Sequence, residues 1–181
     1  MNARWMVLAI LIAGLVGAIP AAAQPDDPTP APLREIYTVL QFGDPVFEPG
    51  LWMAHAAEEA DRTTATWRAD GYGALAHAEY LHFGDGYNPD NLGAFFDDGW
   101  FGVSFKDYDS WEQVRRCRIG AVTVHEFALA MGDQAYQMRY WIQPITPTRI
   151  LTLQMVFPAG RERLLEEYSR LFAPLAYRCP G

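Results

Sequence analysis

The sequence predicts an α+β domain, an antiparallel sheet covered by helices. Three observations lead there. Two runs in the C-terminal half alternate with a period of two, an amphipathic helical run follows them directly, and the order along the chain reads strands, helix, strands, helix.

The alternating runs are QAYQMRYWIQ, residues 134–143, and RILTLQMVF, residues 149–157. In the first, Tyr136, Met138, Tyr140 and Ile142 share one face, with Gln137, Arg139, Trp141 and Gln143 on the other. In the second, Leu151, Leu153, Met155 and Phe157 alternate with Ile150, Thr152, Gln154 and Val156. Aromatic and aliphatic residues at that period make half-buried strands. AVTVHEFALAM, residues 121–131, is a third strand, joined to the first run by a tight turn at MGDQ, while PITPT joins the first run to the second. The result is an antiparallel meander with one face packed against helices. Next comes GRERLLEEYSRLFAPL, with Leu164, Leu165, Tyr168, Leu171 and Phe172 at helical spacing and Glu162, Glu166, Glu167 and Arg170 opposite. Pro174 limits its length.

The first half carries weaker signals. Residues 64–83 predict a hairpin turning at DGYG. LWMAHAAEEAD, residues 51–61, is favoured as the strand before that hairpin, with an Ala-rich helix as the alternative. NPDNLGAFFDDGW opens like a helix, with Asn88 as N-cap and Pro89 in the first position. Ser110 offers the same kind of cap to WEQVRRC, which predicts a further helix there.

The N-terminus predicts export. Arg4 precedes an uncharged apolar stretch from Trp5 to Ile19, and small residues at 21–23 suit cleavage between Ala23 and Gln24. Residues 1–23 are therefore expected to be a signal peptide, residues 24–32 a Pro-rich disordered leader, and residues 33–181 a single domain. Removing Arg4 from the 14 basic residues leaves 13 against 22 acidic ones, a formal charge of −9. That balance disfavours nucleic acid as a partner. No membrane span is expected after signal cleavage. The localisation implied is secreted or periplasmic. In that oxidising compartment Cys117 and Cys179 are expected to pair, closing a loop of about 63 residues that stabilises by roughly 4 kcal/mol.

Catalytic signals are sparse. No Ser lies in a G-x-S-x-G elbow, and the two Cys lack C-x-x-C spacing. The His residues at 55, 77, 82 and 125 show no H-E-x-x-H pattern, so no metal site and no cofactor are expected. DGYNPDNLG, residues 85–93, has oxygen ligands spaced like part of a calcium loop, but lacks the full EF-hand spacing. Asp97 and Asp98 sit among Phe95, Phe96, Trp100 and Phe101, a setting that can raise a carboxyl pKa for acid catalysis. A helix end with aromatic anchors is the simpler account. Arg139 and Trp141, on the polar face of their strand, are a candidate binding surface together with Trp100, Asp97 and Asp98. For Trp141 coverage by a second layer is the favoured reading.

The stretch from Arg118 to Phe172 resembles the PsbP-like family, whose members include the photosystem II extrinsic protein P, LpqN-type lipoproteins and the Ran-binding Mog fold. The likeness rests on the R-Y-W run at 139–141, on L-T-L-x-x-x-F-P at 151–158 and on the helix that follows. Residues 37–52, with P-x-x-W at 49–52, match the family's N-terminal element. Residues 84–117 depart from its pattern. The resemblance implies an α-β-α sandwich and an accessory or binding role without an active site. The function expected is a non-catalytic extracytoplasmic binding module for a protein partner or an apolar small ligand. The alternatives are a small hydrolase using Asp97 or Asp98 as acid, and a structural component of an envelope assembly.

Overall fold

The computed structural model describes residues 38–40, 46–48, 50–83 and 95–181. The signal peptide with its Ala23–Gln24 cleavage site, the 24–32 leader, the helix start at Asn88 and the 85–93 loop lie outside the described residues.

Seven strands form one antiparallel sheet in the order β1-β2-β3-β7-β6-β5-β4. They are β1 Met53–Glu58, β2 Arg62–Ala69, β3 Ala74–His82, β4 Ser110–Ile119, β5 Val122–Met131, β6 Gln134–Thr146 and β7 Arg149–Pro158. Among the described residues, helices α1 Asp98–Ser104 and α2 Glu162–Phe172 accompany them, and residues 38–40 are helical as well. Strand is therefore the favoured state of residues 51–61, and the β2–β3 hairpin turns through a 3-10 helix at Asp70–Tyr72, where Gly73 takes a φ of 62°.

The α+β class expected from the sequence is corrected. The sheet dominates, and among the described residues the helices that flank it are few and short, α1 and α2 having 7 and 11 residues, so this is a mainly β fold and not an α-β-α sandwich. Part of the error lies at Ser110–Ile119, where a capped helix was expected. The spacing of Trp111, Val114 and Cys117 and the local cap signal both suit a helix, but pairing with β5 from Ser110↔Ala130 to Ile119↔Val122 overrides them.

The meander does bury a full face. Leu153, Met155 and Phe157 of β7 lie in one cluster with Leu165, Tyr168 and Phe172 of α2. Ala65, Ala69, Ala74, Ala76 and Ala78 extend that face across β2 and β3. Their short side chains leave depth for large rings. Phe47 stacks on Trp67 at 4.7 Å and meets Phe172 at 4.8 Å, while the Trp52 indole N–H donates to the Tyr168 hydroxyl at 3.1 Å. Leu171, expected in the apolar stripe, is 51% exposed instead. It falls one position beyond the Leu165–Tyr168–Phe172 line that faces the sheet.

The chain after α2 is strapped to the same face. Trp141 is 1% exposed, and its indole N–H donates to the Ala176 carbonyl at 2.7 Å. Arg139 donates to the Tyr177 carbonyl at 3.0 Å and pairs with Glu126 at 3.4 Å. Glu126 also accepts from the Cys179 amide at 3.2 Å, and Cys179 is bonded to Cys117.

A β-bulge makes that bond possible. Gln113 pairs with Phe127 and Arg115 with Glu126, so Val114 is an extra residue on β4. Without it, Trp111, Gln113 and Cys117 would point the same way. The bulge reverses the alternation, sending Trp111 and Gln113 to the α1 face while Cys117 reaches the α2 face and Cys179.

Two mutational outcomes follow. Phe172→Ala should cost about 3–5 kcal/mol in urea unfolding, whereas Leu171→Ala should stay within about 0.5 kcal/mol. Deleting Val114 should prevent Trp111 and Cys117 from serving opposite faces. Thiol titration should then find free Cys, or Trp emission should shift to the red. Retention of both a quantitative disulfide and native emission would contradict the role given to the bulge.

Candidate functional site

On the other face, the register lines up polar residues across six strands. Thr66 of β2 sits opposite His77 of β3, His77 opposite Gln154 of β7, Gln154 opposite Tyr140 of β6, Tyr140 opposite His125 of β5, and His125 opposite Arg116 of β4. A parallel row runs from Thr64 through Glu79, Thr152 and Ile142 to Thr123. Helix α1 crosses the middle of this face. Phe101 packs on Tyr140 at 5.5 Å, His125 at 5.0 Å and Phe127 at 4.8 Å, and the Trp100 indole donates to the Tyr140 hydroxyl at 3.4 Å. Burial raises the Tyr140 pKa, so its phenol stays protonated. The helix starts where it does because Asp97 caps it, accepting from the Trp100 amide at 3.0 Å.

Because α1 is short, it leaves polar ground on both sides. Toward β2 and β3 lies a groove of about 430 Å³. Its floor is His77, Glu79, Thr152, Gln154 and Tyr140, and its rim includes Asp61 and Arg62. Trp100, Phe95 and Phe83 supply an aromatic side, with ring centroids 4.9 Å apart for Phe95–Trp100 and 4.8 Å for Phe83–Phe95. The His77 ring is held at Nδ1, and its Nε2 faces Glu79 beyond hydrogen-bond distance. Nδ1 lies 2.6 Å from the Thr66 hydroxyl, and Nε2 lies 3.6 Å from Glu79.

Toward β4 lies a smaller depression of about 330 Å³, lined by Asp97, Asp98, Gln113, Arg116 and His125. The His125 Nδ1 is 2.6 Å from the Gln113 amide oxygen, which can only accept. Nδ1 therefore carries the hydrogen, and Nε2 keeps a lone pair that finds no hydrogen-bond partner. Burial, with Arg116 as a second contribution, lowers the His125 pKa to about 4. The imidazole is neutral in the folded protein at any ordinary pH.

The residues singled out from the sequence are thus dispersed. Asp97 and Asp98 line the depression, Trp100 lines the groove, and Arg139 and Trp141 lie on the opposite face as clamps on the C-terminal chain. Burial pulls the Arg139 guanidinium below its ordinary pKa, and Glu126 opposes that effect. His77, Glu79, Arg62, Phe83 and Gln154 went unnoticed as a group. A signal existed in AHAEYLH, where His77 and Glu79 alternate with alanines that face the core. Among the described residues no three His, Cys, Asp or Glu side chains form a metal-binding group, and no helix is long and apolar enough to cross a membrane.

No family model matches the chain, and no curated protein matches it. Among solved structures, a mutant of the protein Mog1 is similar at 10% identity over 70% of this chain and 78% of that one, with a TM-score of 0.40. Likeness at that level carries no functional argument. No family model supports the family expected from the sequence pattern.

The depressed His125 pKa has a stability consequence. Between about pH 6.5 and pH 4 the unfolded chain binds a proton that the folded chain rejects. Stability should therefore fall as pH drops through that window, by up to about 3 kcal/mol. Urea midpoints measured across it should show this slope, and His125→Phe, compared with the wild type at each pH, should remove that part of it.

Proposed function

We propose that the protein is an exported, non-catalytic binding module that takes a small ligand in the groove beside α1. In this reading residues 1–23 are removed after Ala23, and residues 24–32 lead into a single domain, 33–181. The disulfide from the β4 edge to the C-terminal chain is compatible with an oxidising, extracytoplasmic compartment.

The observation that carries the binding reading is the lining of the groove. One side is aromatic, and the other presents polar groups fixed by their neighbours in the register. Such a mixture orients a small molecule by a few directed bonds while rings cover its apolar part. The ligand this favours is amphipathic, a refinement of the apolar ligand expected from sequence.

His77 and Glu79 raise the question of catalysis, because Thr66, His77 and Glu79 line up as hydroxyl, imidazole and carboxylate, although the imidazole–carboxylate gap of 3.6 Å exceeds a hydrogen bond. Acyl transfer also needs N–H groups aimed at a developing oxyanion. The amides of β2, β3 and β7 run in the ladders of an antiparallel sheet, and α1 is capped by its own Asp97. A binding floor accounts for the chain of contacts without a reaction.

Ligand-detected NMR with small aromatic alcohols and amines should find millimolar or tighter binders. Trp100→Ala should weaken them by about tenfold, the scale of one buried aromatic contact. Gln154→Phe, which fills the floor, should abolish binding with the fold intact by circular dichroism. Binding that survives Gln154→Phe would refute the groove as the site, and turnover of a phenyl ester that Thr66→Val abolishes would refute the non-catalytic reading.

A further inference from the structure

We infer that the groove selects cations: an ammonium or amidinium group at its Glu79 end, attached to an apolar ring or chain lying against Trp100, Phe95 and Phe83. This rests on the groove being a ligand site, as argued above, and specifies its chemistry.

The charge arrangement carries the inference. Arg62 is the only Lys or Arg among the described lining residues. Its guanidinium is shared by three carboxylates, at 3.4 Å from Asp61, 3.5 Å from Glu59 and 3.7 Å from Glu79. Two lining carboxylates, Asp61 and Glu79, face that one guanidinium, and Glu59 just outside the lining draws on it as well, so this end of the groove is negative. Asp61 and Glu59 are well exposed, so water screens them. Glu79 differs, because its side chain is only 16% exposed. Its two nearest side-chain nitrogen contacts, 3.7 Å to Arg62 and 3.6 Å to His77, are both longer than a hydrogen bond. A carboxylate so placed gains from a short charge-assisted bond to a donor entering from the groove.

The aromatic side points the same way. Ring faces attract cations, more strongly as water is excluded, and repel the lone pairs of an anion. Trp100 and Phe95 meet at 42°, so the two rings are neither stacked nor perpendicular. A carboxylate ligand would meet Glu79 and Asp61 with only Arg62 to offset them. A neutral ligand would keep the ring contacts and lose the ion pair.

Three probes that share the phenethyl group test this by calorimetry on the oxidised protein: phenethylammonium, phenethyl alcohol and 3-phenylpropionate. The cation should bind at least about tenfold more tightly than the alcohol, with the propionate weakest, and added salt should narrow the gap. Glu79→Gln should bring the cation down to the affinity of the alcohol while leaving the alcohol unchanged. Asp61→Asn, at the exposed rim, should have a smaller effect in the same direction. Equal binding of cation and alcohol, tighter binding of the propionate, or a cation preference untouched by Glu79→Gln would overturn the inference and leave the groove as a site. If none of the three binds at millimolar concentration, both the selectivity and the site are refuted.

Discussion

Everything else in this fold depends on sealing one face of the sheet under α2 and the chain that follows it. Phe172 is wholly buried, and Leu165 and Tyr168 accompany it against Leu153, Met155 and Phe157. Each large apolar side chain moved out of water contributes about 1.5–3 kcal/mol. The alanines of β2 and β3 are part of the same device, since only small residues leave space for Phe47, Trp52 and Trp67 on that face. With that layer closed, the opposite face is released from carrying the main core.

That release shows in its composition. The α1 face has its own cluster around Phe101, Phe105 and Phe127, which also takes in Leu81 of β3 and Ile150 and Val156 of β7. Between those apolar positions β3 and β7 present His77, Glu79, Thr152 and Gln154. Polar side chains persist there because they bond laterally across the register, as Thr66 does to His77. A sheet held from one side can present a chemically specific surface on the other.

The bulge at Val114 links the two faces. One extra residue lets a single edge strand supply Trp111 to one core and Cys117 to the other. The covalent tie then fixes the C-terminal chain that Trp141, Arg139 and Glu126 hold by hydrogen bonds. Arg139 and Trp141 look like an exposed pair from their strand alone. They are buried because eight residues beyond α2, from Ala173 to Pro180, return to cover them, and no periodicity announces that return.

Sequence alone determined the C-terminal meander, the β2–β3 hairpin, the α2-facing residues Leu151, Leu153, Met155 and Phe157 of β7, the core-facing Leu165, Tyr168 and Phe172 of α2 though not the exposure of Leu171, and a pair of cysteines able to bond. These follow from local periodicity and from what must leave water, which neighbours in the chain largely decide. Tertiary structure decided that residues 110–119 form a strand, that the fold is mainly β, and that His77, Glu79, Gln154 and Trp100 share one groove. Each of those outcomes depends on which strands lie side by side, and hydrogen-bond pairing between residues far apart in the chain fixes that order.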